Sequence, residues 1–158
     1  MSDKATTLKL LDEEYANFRK AIDGLDAAAL QRVWFGEWSV QDIVAHVLGW
    51  EREMAQALRR MARGEKPAPE GVDYSDSDAW NARFALVMKQ QLPTTVLAEW
   101  GQVHQVYRAA AAAIADDRFG AGEDGKPKTV NRLIETSGYG HFREHGAQIR
   151  EWRKTQGL

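Results

Sequence analysis

Residues 39–64, SVQDIVAHVLGWEREMAQALRRMARG, have the pattern of one long amphipathic helix. Ser39 is a typical N-cap, and Asp42 lies in the first turn, where negative charge is favourable. Gly64 is typical of a helix end. The apolar residues that recur at helical spacing along this stretch are Ile43, Val47, Met54 and Leu58. The sequence therefore predicts a helix from about Val40 to Arg63 with one buried face.

Three further segments show the same helical spacing, at about residues 6–25, 93–114 and 129–155. Residues 64–77 are rich in proline, glycine and small polar residues, which indicates a crossing loop, and a shorter helix follows over about 78–91. No segment alternates as a strand would. We therefore predict an all-α fold, a four-helix bundle with a long crossover connection carrying a short extra helix, with residues 1–158 as a single domain.

Composition limits the possible partners and location. The net charge of the 158 residues is −2, and the basic residues are scattered among acidic ones, so we expect neither nucleic acid nor a membrane as a partner. The N-terminus lacks a signal-peptide core and no apolar run is long enough to span a membrane, which favours a cytoplasmic protein. The absence of cysteine excludes a cysteine nucleophile and thiolate ligands.

Two histidines lie four residues apart in the last predicted helix, in YGHFREHGAQIREW, residues 139–152. His141 and His145 share the apolar stripe with Ile149 and Trp152, so both are predicted to point inward. A buried imidazole needs a partner, which is either a neighbouring polar group or a cation shared by the two rings. From this pair alone, the two interpretations are equally supported.

Two other histidines lie on other predicted helices. His46 lies at the flank of the 40–63 helix, where it can complete a three-nitrogen metal site or remain an ordinary boundary histidine. His104 has no partner at ligand spacing on its own helix, so we interpret it as structural.

Several residues near His46 are candidates for catalysis or substrate binding. Glu51 falls in an apolar stripe, where it is either a carboxylate that hydrogen-bonds to a residue of the site, a base or a solvated edge residue. Glu144 is a second candidate base, although it lies about 80° from the inward stripe. Trp50 follows His46 by one turn, and Trp80 and Asn81 on the crossover helix can close over the same end of the bundle, so these three are the predicted substrate pocket.

The stretches WSVQDIVAHVLGWE (38–51), DAWNARF (78–84) and YGHFREHGAQIREW together resemble the DinB-like superfamily of metal-binding four-helix bundles, and within it the ClbS/DfsB family. The resemblance covers nearly the whole chain. It implies that His46, His141 and His145 hold a divalent ion such as zinc or nickel. Similar proteins include transferases that use a low-molecular-weight thiol and self-protection proteins that hydrolyse a reactive metabolite.

Three hypotheses follow. The first is a metal-dependent enzyme acting on a small reactive electrophile, either a thiol-dependent transferase or a hydrolase of the self-protection type. The alternative is a non-catalytic protein that sequesters a small molecule beside a buried histidine cluster. A third, compatible with both, is assembly as a homodimer.

Overall fold

The computed structural model describes Met1 and residues 3–158. Its α-helices are α1 (Asp3–Ile22), α2 (Ala27–Gln31), α3 (Val40–Ala62), α4 (Ser77–Met88), α5 (Pro93–Ala112), α6 (Thr129–Ile134) and α7 (Gly140–Gln156). These described residues include two isolated β-bridges but no strand, and none of their helices is long and apolar enough to cross a membrane. The predicted all-α class is confirmed.

The four long elements of the bundle are α1, α3, α5 and the α6–α7 unit. Helix α3 packs mainly against α5, and α1 packs mainly against α7. The side chains at the centre of the bundle are fully buried and come from all of these elements: Leu11, Phe18, Leu58, Trp100 and Ile149. The connection from α3 to α5 carries α4, so the predicted crossover with a short extra helix is confirmed.

The predicted boundaries of α3 hold to within about a residue because the signals that set them are local. The Ser39 hydroxyl accepts from the Asp42 amide at 3.2 Å, and the Asp42 carboxylate accepts from the Ser39 amide at 2.8 Å. This reciprocal pair satisfies two donors at the helix start. The short helix α2 was not predicted, because five residues are too few to show a helical period.

The last predicted helix is interrupted by a π-helical turn, Glu135–Tyr139, between α6 and α7. Within it Gly138 has φ −120° and ψ −110°, outside helical geometry. A Cβ on Gly138 would lie 2.8 Å from a methyl carbon of Leu11 and 2.9 Å from the hydroxyl of Tyr107, so close packing requires glycine here. Helix α7 starts directly after the turn, and His141 is its second residue.

Candidate metal centre

Three histidines from two helices meet between α3 and α7. Nε2 of His46 lies 2.8 Å from Nε2 of His141, and Nε2 of His145 lies 3.1 Å from the same atom. His46 and His145 are 9% and 7% exposed, while His141 is partly exposed. Three imidazole nitrogens bound to one zinc ion at about 2.0–2.1 Å are separated by roughly 3.3 Å, so a small outward movement of the rings fits such an ion.

Hydrogen bonds to the outer ring nitrogens fix the tautomers of two of these histidines. The Trp50 indole N–H donates to Asn81 Oδ1 at 2.8 Å, and Nδ1 of His46 lies 2.8 Å from the same oxygen. An indole nitrogen only donates, so the Asn81 atom that it faces must be oxygen, and His46 must therefore donate from Nδ1. Nδ1 of His145 donates in the same way to Gln148 Oε1 at 2.7 Å. In both rings the lone pair is left on Nε2, which points at the other histidines.

The environment keeps these imidazoles neutral. Burial, and next the neighbouring His145, lower the pKa of His46 to about 4. Burial and the two neighbouring rings hold the pKa of His141 well below its usual range, against a smaller opposing effect of the Ser137 backbone. Burial also lowers the pKa of His145. Metal ligands must be neutral imidazoles, so the site is in the protonation state that a cation requires near pH 7.

Nδ1 of His141 is the polar atom of the triad that is not satisfied. It is buried and has no hydrogen-bond partner of good geometry among the described residues, although the Ser137 backbone is near enough to raise the pKa of His141. The π-helical turn precedes this residue directly, so the backbone carbonyls on its N-terminal side are not in regular α-helical positions. The Nε2 lone pairs of His46 and His145 meet Nε2 of His141 with no carboxylate among them, an arrangement that a shared cation would also satisfy.

An aromatic hairpin, residues 34–38, lies beside the triad. Phe35 and Trp38 are joined by backbone hydrogen bonds of 2.9 and 3.0 Å, with Gly36 at φ 62° in the turn. The Trp38 ring lies 5.0 Å from the His46 ring, and the Phe35 ring meets the His145 ring edge-on at 6.4 Å. This hairpin was not identified from the sequence, although WFGEW shows a turn glycine flanked by aromatic residues.

The three predicted pocket residues form a group on the other side of His46. The Trp50 ring lies 6.2 Å from the Trp80 ring and 5.4 Å from the Phe84 ring. Asn81 lies directly beside the triad, but its side-chain oxygen is bonded to His46 and Trp50. The structure therefore places Asn81 where it orients His46, a candidate metal ligand, with Trp50 and Trp80 packed next to it.

Glu51 belongs to a separate buried group, the Glu51 cluster, formed with Tyr15, Trp100 and His104. Glu51 is fully buried, its Oε1 lies 2.6 Å from Nδ1 of His104, and its Oε2 accepts from the Trp100 indole at 2.9 Å. Tyr15 stacks on His104 at 3.6 Å. Burial raises the pKa of Glu51, and the bonds to His104 and Trp100 oppose that shift. Both carboxylate oxygens are thus engaged away from the triad.

Glu144, the other candidate base, is exposed on α7 beside His145. Its charge acts to raise the pKa of His145, against the larger effect of burial. The structure therefore brings Glu144 near the triad but leaves it on the solvent side, in agreement with its angular offset from the buried stripe.

The comparison with protein families gives one clear result. Residues 10–149 match the model of the DinB superfamily, so the chain belongs to that superfamily. The predicted resemblance is confirmed. No curated protein matches the chain with significance.

Solved structures share the fold at low sequence identity. The structure of the sibling lethal factor precursor DfsB is 17% identical, with a TM-score of 0.80 over 99% of this chain and 97% of that one. The colibactin self-resistance protein ClbS, in complex with double-stranded DNA, is 14% identical, with a TM-score of 0.80 over 96% and 95%. An uncharacterised protein from Escherichia coli UTI89 is 16% identical, with a TM-score of 0.79 over 98% and 95%.

The ClbS complex overturns our exclusion of nucleic acid, which rested on net charge. Net charge averages over the whole surface and does not describe local patches. In this chain a groove of about 410 Å³ between α3 and α5 is lined by arginines, a local concentration that the total of −2 conceals: Arg52, Arg59, Arg60 and Arg63.

Proposed function

We propose that this protein is a metal-dependent enzyme acting on a small reactive electrophile, with a divalent ion, zinc or nickel, held by His46, His141 and His145. The observation that carries the proposal is the convergence of three Nε2 atoms in rings of low pKa, two of which have their tautomer fixed from behind. Three neutral nitrogen ligands leave coordination positions open, as in catalytic rather than structural sites.

Such an ion lowers the pKa of a bound thiol or water, so that a nucleophile is available near neutral pH. The chain supplies the surroundings. Asn81 and Gln148 orient two ligand rings, and the aromatic hairpin excludes water from one side. The chain has no cysteine, so a thiol nucleophile would come from a low-molecular-weight co-substrate, and such thiols are kept reduced in the cytoplasm, the location that we propose.

For a water nucleophile, Glu144 is the proposed proton acceptor, because both oxygens of Glu51 are already engaged. The charge of Glu144 reaches His145, and its carboxylate is free to exchange protons with solvent. Glu144→Gln should retain the metal and lower a hydrolytic rate by roughly 10²-fold or more. An unchanged hydrolytic rate would remove Glu144 from the mechanism.

Metal content tests the centre itself. Protein purified without an affinity tag should contain about one equivalent of zinc or nickel, measured by inductively coupled plasma mass spectrometry. The triple variant His46→Ala, His141→Ala, His145→Ala should contain none, while His104→Ala should keep the metal because His104 belongs to the Glu51 cluster. Equal metal in wild type and triple variant would overturn the proposal.

Turnover separates catalysis from sequestration, the alternative function. Metal-loaded protein is incubated with chlorodinitrobenzene and glutathione, and product and bound ligand are measured before and after chelation. Catalysis requires product formation that chelation abolishes. Binding that chelation leaves unchanged, with the compound recovered intact, would instead establish a sequestering protein whose histidines serve as hydrogen-bond partners.

A second candidate function is binding of duplex nucleic acid at the arginine groove. Arg52 and Arg63 are paired with Glu99 and Glu65. Arg60 donates to oxygens of Pro67 and Tyr74 and its charge also acts on Glu65, while Arg59 makes no ion pair within the described chain. The guanidinium charge of Arg59 is therefore without an acidic partner in this groove, a feature that favours a phosphate contact.

A pair of charge reversals tests that candidate. Fluorescence anisotropy with a labelled DNA duplex at low salt should show weaker binding for Arg59→Glu and a smaller salt slope. Arg132→Glu changes the charge equally on α6, where the side chain is 65% exposed, and should bind as wild type does. Equal loss in both variants would show that the groove has no specific role.

A further inference from the structure

The crossover helix α4 is held to the bundle by few contacts. Of its 12 residues only Met88 is buried, and Leu86 and Val87 are 76% and 66% exposed. An isolated helix of this length is marginal in water, so its packing against α3 must supply most of its stability. The position of α4 therefore depends on the small set of residues that touch α3.

Besides Met88, the contacts come from one turn of α4 that faces Gly49 and Trp50. The Phe84 ring rests directly on Gly49, where a Cβ would collide with it, and packs edge-on against Trp50 at 5.4 Å. Asn81 adds the polar contact, because its Oδ1 accepts from Trp50 Nε1 and from His46 Nδ1 at 2.8 Å each. One oxygen of α4 is thus bonded to a ligand histidine of the candidate metal centre.

A metal on Nε2 changes the hydrogen bond made by Nδ1 of the same ring. Coordination withdraws electron density from the imidazole, so its N–H becomes a stronger donor to Asn81. Binding of the ion and docking of α4 then favour each other, and by linkage each must strengthen the other by the same factor.

We propose that Asn81 is a positioning residue that couples metal binding at the histidine triad to the docking of α4 on α3. This inference rests on the proposed metal centre. In the metal-free protein α4 opens from α3 more often, and loading the triad holds it closed beside Trp50. The helix that borders the site is then secured when the metal is present.

Hydrogen–deuterium exchange of the α4 amides, with and without zinc, tests the coupling. In the wild type, zinc should slow exchange in residues 77–88. Asn81→Leu removes the acceptor while raising helix propensity, so any loss of protection cannot be assigned to a weaker helix. In that variant zinc should bind about tenfold or more weakly, and saturating zinc should no longer slow exchange in α4.

Two controls complete the design. Asn81→Asp keeps an oxygen acceptor for both donors and should restore the zinc-dependent protection. Leu86→Ala lies on the exposed side of α4 and should behave as wild type. Circular dichroism of each variant verifies that the bundle is folded.

The outcomes separate the coupling from the metal centre. If the wild type binds no zinc, the metal centre is overturned and the coupling with it. If zinc binds but α4 exchange is unchanged, or if Asn81→Leu keeps the full zinc effect, the coupling alone is overturned and the metal centre stands.

Discussion

The triad and the Glu51 cluster each bury histidine between helices, but they satisfy it differently. In the Glu51 cluster a carboxylate faces the Nδ1 of His104, and its second oxygen is bonded to Trp100, so donors and acceptor are matched. In the triad three Nε2 atoms face one another with no carboxylate between them. A buried histidine paired with a carboxylate completes a core, whereas three imidazole nitrogens that converge without a carboxylate favour a shared cation.

The largest expected effect comes from breaking the Glu51 cluster. Glu51→Ala removes the acceptor of two buried donors and should lower the free energy of unfolding by about 3–5 kcal/mol, measured by urea denaturation. Glu13→Ala, whose side chain is 54% exposed, should change it by less than about 0.5 kcal/mol. A loss below about 1 kcal/mol for Glu51→Ala would show that the cluster is not a stabilising core element.

Zinc should stabilise the folded protein through the triad and not through the Glu51 cluster. At free zinc about a hundredfold above its dissociation constant, the wild type should gain about 2.7 kcal/mol of unfolding free energy. His141→Ala should lose this gain entirely, and His104→Ala should keep it. A gain retained by His141→Ala would place the zinc elsewhere on the protein.

Removing the hydrogen bond that orients His145 should change the free energy of zinc binding by a smaller amount. Gln148→Leu deprives His145 of the acceptor at 2.7 Å that fixes its tautomer, so zinc affinity should fall about tenfold, or about 1.4 kcal/mol. Competition with a chromophoric chelator measures the change. Gln102→Leu on α5 lies outside the triad and serves as the control.

Lowering the pH should change the free energy of unfolding in opposite directions through the triad and through the Glu51 cluster. In the metal-free protein the pKa of His46 is lowered from 6.5 to about 4, so the unfolded chain takes up a proton that the folded one does not. Unfolding free energy should therefore fall as pH drops, by about 1 kcal/mol between about pH 6 and 5 from this residue. His46→Ala should remove that slope, and an unchanged slope would contradict the assignment.

Glu51 should act in the opposite direction. Its pKa is raised by burial, so the folded protein holds a proton that the unfolded one releases. Its contribution is present below the ordinary carboxyl pKa and is lost as pH rises through the raised value. The difference in the pH dependence of the unfolding free energy between wild type and Glu51→Gln measures the contribution of Glu51 alone.

Features that depend on residues close together in the sequence were predictable, and features that depend on residues far apart in the sequence were not. The ends of α3 follow from Ser39, Asp42 and Gly64, which act on their own turn, and the inward phase of His145 follows from spacing within one helix. The partner of Glu51 did not follow, because His104 is 53 positions away and only packing brings them together. For the same reason the assignment of His46 as the third candidate ligand rested on resemblance.

The π-helical turn has a consequence for relatives of this protein. A π-helical turn holds one residue more than a regular α-helical turn, and here Gly138 lies within it against Leu11 and Tyr107. A larger side chain at this position would have to displace one of those neighbours or change the path of the chain into α7. A homologue without glycine here is therefore expected to retain the fold but to place the residues equivalent to His141 and His145 differently.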